Sequence, residues 1–484
     1  MRKMFSLEEI IRGVNGELIN NTGKSVFNST VFVSGVSTDS RSIAEGELFI
    51  ALTGDRFDGH DYLAEIRDKG AAAAVVSDRT KVPEGMIAVL VDDTAKALGT
   101  LARSYRYKLG AKVICVTGSV GKSSTREMIV KALEPSFKVH GTARNNNNEI
   151  GLPKTILEAP EDTEVLVLEL GMRGRGQISY LSKIACPDIA CITNVGYSHI
   201  EILGSREEIL LAKNEITDGL VDGGILVVNG DDKYLFDHAV RSLTINNMVA
   251  GVFSGNEKES EVKTNCPVYI STRGLEINDK GCDFDICIRK CSEEKEMKGF
   301  HLNLFGIHNV RNALFAIFCT CCLSGDIEKA KAALEDYNQM NGRGAVTETK
   351  RYTVIDDAYN ACPESMEASF YTMSIIGKSK RKVLALGCML ELGDYAPVLH
   401  ETVGKSCAKY DFDRVYITGD NADDFIRGCH TQKLSFDVVK CKSVEEMDRR
   451  MSEYVRDDDI ILFKGSNAFG LEKLAASYIE RGNS

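Results

Sequence analysis

The run VICVTGSVGKSSTREMIVKAL, residues 113–133, constrains this chain more than any other segment. Its apolar start predicts a strand, a loop of small residues follows, and the pattern from Lys122 onward predicts an amphipathic helix. Gly118 and Gly121 leave the loop without Cβ atoms, so backbone N–H groups can converge on a phosphate. Lys122 adds a point charge for the outer phosphates. Ser123 can place its hydroxyl on a magnesium ion at the helix N-terminus, where the helix dipole favours anions. The spacing is compact: the usual G-x-x-x-x-G-K-[ST] pattern needs glycine at 116, where this chain has Val116. The flanking strand and helix distinguish the motif from a chance GKS turn, and the chain is expected to handle a nucleoside triphosphate.

A chain of 484 residues exceeds one ordinary core, so two to four domains are expected. Hydrophobic content of 43% and charged content of 27% place it among soluble globular proteins. The net charge of −11 argues against nucleic acid or an anionic membrane surface as the main partner. The first residues, MRKMFSLEEIIRG, hold no apolar run of signal-peptide length. The most apolar stretch, 313–323, is too short to span a bilayer and predicts a buried helix, so no stable membrane insertion is expected. Fifteen cysteines without a secretion signal point to a reducing, cytoplasmic setting. Cys319, Cys321 and Cys322 fall within the apolar helix and read as core, while Cys282, Cys287 and Cys291 lack the paired spacing of a zinc site.

The fold class expected is α/β, in three parts. Residues 1–110 carry short strands and turns and predict a small mixed α/β domain. Residues 111–342 alternate strands, at 113–117, 165–170, 189–193 and 225–229, with helices, which predicts a central P-loop ATPase-type parallel sheet. Residues 343–484 repeat the alternation, with strands near 353–356, 383–387, 414–418 and 459–463, and predict a Rossmann-like domain. The segment MNGRGAV, 340–346, reads as the joint. A nucleotide site is expected beyond the C-terminal ends of the strands.

Several constellations follow the loop. Glu169 closes a buried strand, where a carboxylate is costly unless it meets a cation such as magnesium. Asn194 and His199 follow the next strand. Taken alone, Lys213 in LLAKNEI reads as a solvated helical lysine. Asn309, in GIHNVRNAL, can read an adenine edge or cap the helix. Asp356 or Asp357 can bind a ribose or an ammonium group, or simply cap a turn.

In order, TGSVGKSSTREM, ARNNNNEIGLPKTIL, ELGMRGRGQI, TNVGYSHIEILGSREEILLAKNEI, GIHNVRNAL, GRG, IDDAYNACPESM and LELG resemble the Mur ligases over nearly the whole chain. The resemblance implies ATP-dependent amide-bond formation through an acyl phosphate. It implies UDP-N-acetylmuramoyl tripeptide and D-Ala-D-Ala as substrates and two magnesium ions; a monomer is expected, though not from the resemblance. It implies that Thr117, Gly118, Ser119, Val120, Gly121, Lys122, Ser123 and Ser124 hold the triphosphate, with Asn309 at the adenine and Asp357 near the ribose. Ser123 and Glu169 would bind one magnesium ion; His199 and Lys213 would serve a second, Lys213 as a carbamate. Arg343 would reach the transferring phosphoryl group, completing the catalytic set Lys122, His199, Lys213 and Arg343. Ser40, Arg41 and the turn Asp58, Gly59, His60 would face the uridine diphosphate, with Asn147, Asn148 and Asn360 near the rest of the substrate. Cys362, Cys388 and Asn467 stand where the family pattern leads one to expect Asn, Asp and Arg.

Overall fold

The computed structural model describes residues 3–22, 31–143, 145–242, 247–254, 268–278, 280–290, 293–337 and 342–484. Met340 and Asn341 of the expected joint, Arg144 of the ARNNNNEIG motif and Cys291 lie outside the described residues.

Alternating apolar segments build three main sheets. In the first, Glu17–Asn20, Ile87–Leu90, Ala73–Val76, Leu48–Ile50 and Val36–Ser37 lie side by side, antiparallel only at the Glu17–Asn20 edge. The central sheet runs Val139–Gly141, Val165–Glu169, Lys112–Thr117, Ile189–Ile192, Ile225–Asn229, Met248–Phe253 and Val268–Asn278, all parallel. Val165–Glu169 and Ile189–Ile192 are buried along their whole length, as strands covered on both faces must be. Helices Lys122–Leu133 and Ile307–Cys322 cover one face, and Thr94–Leu109, Gly151–Glu158 and Gln177–Ala185 cover the other.

This sheet does not end where sequence alternation ends. Gly281–Lys290 and Glu293–Leu302 add two antiparallel strands, with register shifts between Arg273 and Glu276 and between Phe284 and Ile286. Residues 111–342 are therefore not a purely parallel unit. Each register shift turns the side-chain alternation over, which hides the period-two pattern. The edge strand exposes Glu293, Glu294, Lys295 and Glu296, charges that discourage pairing with another edge.

The third sheet orders Ala345–Glu348, Thr353–Asp357, Ile460–Lys464, Lys382–Gly387, Arg414–Thr418 and Asp437–Cys441, parallel except for its first strand. Among the described residues no helix is long and apolar enough to cross a membrane. The thirteen described cysteines are all free thiols, and Cys319 sits in the core with its sulfur 3.8 Å from that of Cys191.

Candidate active site

The C-terminal ends of three neighbouring central strands meet at one edge. Lys112–Thr117 delivers the glycine loop, Val165–Glu169 delivers its terminal carboxylate, and Ile189–Ile192 leads into Thr193, Asn194 and His199.

The loop is held from the side of Thr193 and Asn194. Thr193 Oγ1 donates to Val120 O at 2.6 Å. The Asn194 side chain makes a two-way bridge to Val120, its Nδ2 donating to the carbonyl (2.9 Å) and its Oδ1 accepting from the amide (3.0 Å). The Ser119 amide donates to Asn194 O at 3.1 Å, and its hydroxyl accepts from the Gly196 amide at 2.9 Å. Gly118 has φ +150°, and a Cβ there would overlap Thr193 Oγ1; Gly121, at φ +82°, opens the helix Lys122–Leu133. The Lys122 ammonium folds back to donate to Gly118 O at 2.8 Å. Its pKa is lowered by burial, an effect opposed by Glu169 and reinforced by Arg343. Thr117 Oγ1 is committed to Leu170 O at 2.9 Å, so it ties two strands at the base of the loop.

Glu169 is 2% exposed. Its Oε1 accepts from Asn147 Nδ2 at 2.9 Å, and its own amide donates to Thr142 Oγ1 at 2.9 Å. Oε2 is buried without a hydrogen bond, and the nearest cation, Arg126 Nε, stands 3.8 Å away and is also without a hydrogen bond. An orphaned buried carboxylate oxygen fits magnesium, which takes one or two protein oxygens and completes its shell with phosphate and water. Among the described residues no three His, Cys, Asp or Glu side chains form a metal cage.

Lys213 corrects its isolated sequence reading as a solvated residue. It is 1% exposed, on the buried face of Arg206–Asn214 with Ile209, Leu210 and Ala212. Burial, with the charge of Lys122, pushes its pKa well below the ordinary lysine value, and among the described residues no carboxylate pairs with it. His199 occupies a left-handed conformation, φ +66°, and its Nδ1 lies 2.9 Å from Glu391 Oε2 of the third domain. Its pKa is lowered by burial and by Lys122 and Lys213, against the pull of Glu391.

Arg343 spans the two sheets. One guanidinium nitrogen is 3.3 Å from Ser123 Oγ, and the group lies 3.6 Å over the Tyr359 ring. Other contacts across the same seam join Tyr395 Oη to Gly204 O (3.1 Å) and the Glu201 amide to Glu391 O (3.4 Å).

Asn309, fully buried in the first turn of Ile307–Cys322, donates to Phe305 O at 2.9 Å and leaves its Oδ1 without a partner. Neighbouring His308 is pushed down to about 4, chiefly by burial. Asp357 is engaged by Lys464, whose buried ammonium donates to Oδ2 at 2.6 Å, and by the Ser369 hydroxyl at 2.5 Å. Asn360 is exposed, its Oδ1 accepting from the Ala361 amide.

The residues expected at the substrate end occupy two places. Asn147 steadies Glu169, and Asn148 Oδ1 caps Gly151–Glu158 by accepting from the Gly151 amide at 2.8 Å. That helix packs on the strand Val36–Ser37, which leads to buried Ser40 and exposed Arg41. Lys69 caps Ser40 O at 2.7 Å, and Arg41 forks onto Asp39. His60 is buried with both ring nitrogens committed: Nδ1 lies 2.6 Å from Asp58 Oδ1, and Nε2 accepts from the Ser77 amide at 2.9 Å. Gly59 packs so tightly on Leu52 that a Cβ would come within 2.8 Å of its carbonyl oxygen. This Asp58–His60 turn is a braced structural corner, and Asp58 also binds Lys81.

Inspection of the sequence overlooks Arg126, Tyr359, Glu391 and Lys464. Arg126, Tyr359 and Glu391 lie inside quoted motifs, yet all four gain meaning only from contacts with residues distant in sequence.

The chain matches three family profiles: "Mur ligase middle domain" at residues 116–320, "Mur ligase, glutamate ligase domain" at 342–467, and "Mur ligase family, catalytic domain" at 32–106. It is 35% identical to UDP-N-acetylmuramoyl-tripeptide--D-alanyl-D-alanine ligase of Bacillus subtilis over 98% of both chains. The corresponding Synechocystis protein is 32% identical over 97% of both. Among solved structures, MurF from Acinetobacter baumannii superposes with a TM-score of 0.83 at 26% identity, covering 98% of this chain and 99% of that one. MurF ligase from Thermotoga maritima in complex with ADP gives 0.75 at 28% identity, covering 92% and 97%.

Proposed function

The chain belongs to the Mur ligase family, and we propose that it joins D-Ala-D-Ala to UDP-N-acetylmuramoyl tripeptide with consumption of ATP, a step of peptidoglycan precursor synthesis. The observation that carries this is the meeting of Lys122, Glu169, His199, Lys213 and Arg343 at one sheet edge, with the third domain already in contact across it.

A tripeptide carboxylate oxygen attacks the γ-phosphorus of ATP, giving an acyl phosphate and ADP. The dipeptide amine then attacks the acyl carbon, and phosphate leaves from the tetrahedral adduct as the nitrogen loses its proton. Both steps crowd anions together, so fixed positive charge is the main requirement. The backbone amides of 118–123, with Lys122, cradle the triphosphate, and Ser119, Val120 and Ser124 complete that loop. Arg343 offers a planar fork to the transferring phosphoryl oxygens. The buried, unpartnered Asn309 Oδ1 would suit the exocyclic amine of adenine, and Asp357 would serve the ribose.

Ser123 and Glu169 would hold one magnesium ion, and His199 and Lys213 would serve a second; bound magnesium neutralises phosphate charge and polarises the bond being broken. An ammonium cannot ligate a cation. A neutral lysine can add CO2 and release a proton to become an anionic carbamate, and the depressed pKa of Lys213 supplies that neutral amine. Ser40, Arg41 and the Asp58–Gly59–His60 corner would face the uridine diphosphate, and Asn147, Asn148 and Asn360 the tripeptide and acceptor. The division of labour is 1–110 for the UDP substrate, 111–342 for ATP and 343–484 for the dipeptide, in a cytoplasmic monomer.

The test is phosphate release from ATP and magnesium with the UDP-linked tripeptide, with and without D-Ala-D-Ala, plus the product mass. Release that needs both substrates and a product heavier by one dipeptide less water is expected. Release that ignores D-Ala-D-Ala would overturn the acceptor assignment.

A further inference from the structure

We propose that Tyr359 is a positioning residue for phosphoryl transfer: it holds the Arg343 guanidinium over the glycine loop and ties that arginine to the Asn145–Asn148 segment. This rests on the assignment of Arg343 to the transferring phosphoryl group.

Arg343 lies in a turn between Gly342 and Gly344, both in left-handed conformations (φ +77° and +90°), so no helix or strand fixes it. Its one polar contact to the loop, at 3.3 Å to Ser123 Oγ, is long. What aims it is Tyr359. The guanidinium lies 3.6 Å over the ring, and the Tyr359 amide donates to Gly342 O at 3.1 Å, coupling ring and turn. The ring is anchored at its far end, where Oη donates to Asn145 Oδ1 at 2.7 Å. The Asn147 amide donates to Asn145 O at 2.8 Å, and Asn147 Nδ2 holds Glu169. A chain of contacts thus runs from Ser123 through Arg343, Tyr359, Asn145 and Asn147 to Glu169, crossing between the central and third sheets and back.

The choice of an aromatic holder has a chemical consequence. Among the described residues no carboxylate pairs with Arg343. A carboxylate would fix the guanidinium equally well but would neutralise it and occupy its donors. A ring face attracts the cation through its quadrupole and leaves the N–H fork free for phosphate oxygens.

The experiment compares steady-state kinetics and ADP binding for Tyr359→Leu, Tyr359→Phe, Asn145→Ala, Arg343→Ala and the doubles Tyr359→Leu/Arg343→Ala and Tyr359→Phe/Asn145→Ala. We expect Tyr359→Leu to lower kcat about tenfold, equivalent to ~1.4 kcal/mol, with KM for ATP and ADP affinity within about twofold of the parent. Tyr359→Phe, which keeps the ring, is expected to lose only about threefold; so is Asn145→Ala, and their double should lose no more than either alone. Tyr359→Leu should add nothing in the Arg343→Ala background. If Arg343→Ala keeps full turnover, the assignment of the arginine fails. If Arg343→Ala turns over measurably more slowly but Tyr359→Leu is normal, raises only KM, or multiplies the Arg343→Ala defect, the positioning role fails. Should Tyr359→Leu not fold, the Tyr359→Phe/Asn145→Ala pair decides, and multiplicative losses there would overturn the proposal.

Discussion

Gly118 and Gly121 share one motif but answer different structural demands, so alanine at each should have a different cost. At Gly121 the cost is conformational: φ is +82° and the nearest atom to an added Cβ is Asn312 Oδ1 at 3.4 Å, an ordinary contact. A left-handed L-residue costs about 1–2 kcal/mol. At Gly118, φ of +150° is combined with overlap on Thr193 Oγ1 and an approach of 3.2 Å to Thr193 N. Strain of about 1–3 kcal/mol adds to overpacking of similar size. Thr193 can rotate away only by giving up its bond to Val120 O, worth about 1 kcal/mol. Gly118→Ala should therefore cost about 4 kcal/mol and Gly121→Ala about 1–2 kcal/mol. With no tryptophan in the chain, circular dichroism is the suitable probe of thermal unfolding. For a unit of this size the shifts should be roughly 8–16 °C and 2–8 °C. ADP affinity, measured by calorimetry, should fall more for Gly118→Ala. Equal shifts, or a Gly118→Ala protein within about 2 °C of the parent that binds ADP normally, would refute the steric argument.

Other perturbations address the charged centre. Glu169→Gln should leave the protein folded but lower kcat about a hundredfold or more and raise the magnesium needed for half-maximal rate; unchanged magnesium dependence in a titration would count against Glu169 as a ligand. Lys213→Met should abolish ligation while stabilising the apoprotein in CO2-free buffer. In the parent, the unfolded lysine binds a proton that the native one does not, between its depressed native pKa and 10.5. Parent stability therefore rises with pH across that window, and the advantage of the methionine variant should shrink from about pH 7 to about pH 9.5; a growing advantage in thermal melts would show the sign to be wrong. Lys464→Met strands the Asp357 carboxylate and should destabilise the third domain by about 3 kcal/mol, read as an earlier unfolding transition.

Much of the architecture was visible in the sequence because parallel strands buried on both faces are near-continuous apolar runs. The eight strands read at 113–117 through 459–463 have observed counterparts within a residue or so at either end. The extension through Gly281–Lys290 and Glu293–Leu302 was not visible, because register shifts break its alternation and its edge is charged. The glycine loop was legible since it depends on local conformation. Glu169 was legible since a carboxylate closing a buried strand needs a reason. Lys213 was not legible from residues alone: its burial follows from which face of Arg206–Asn214 meets the core, and resemblance to the Mur ligases was what singled it out. Arg126, Glu391 and Lys464 act through partners 43, 192 and 107 positions away, separations that no local pattern encodes.

The central claim is that the γ-phosphoryl group passes to the tripeptide carboxylate before the amide forms. A UDP-linked tripeptide labelled with 18O in the reacting carboxylate tests it directly. During turnover with ATP and D-Ala-D-Ala, one labelled oxygen should appear in the released phosphate, detected by mass spectrometry or by the 31P isotope shift. Product formed with unlabelled phosphate would contradict an acyl phosphate and, with it, the roles of Lys122 and Arg343 in phosphoryl transfer.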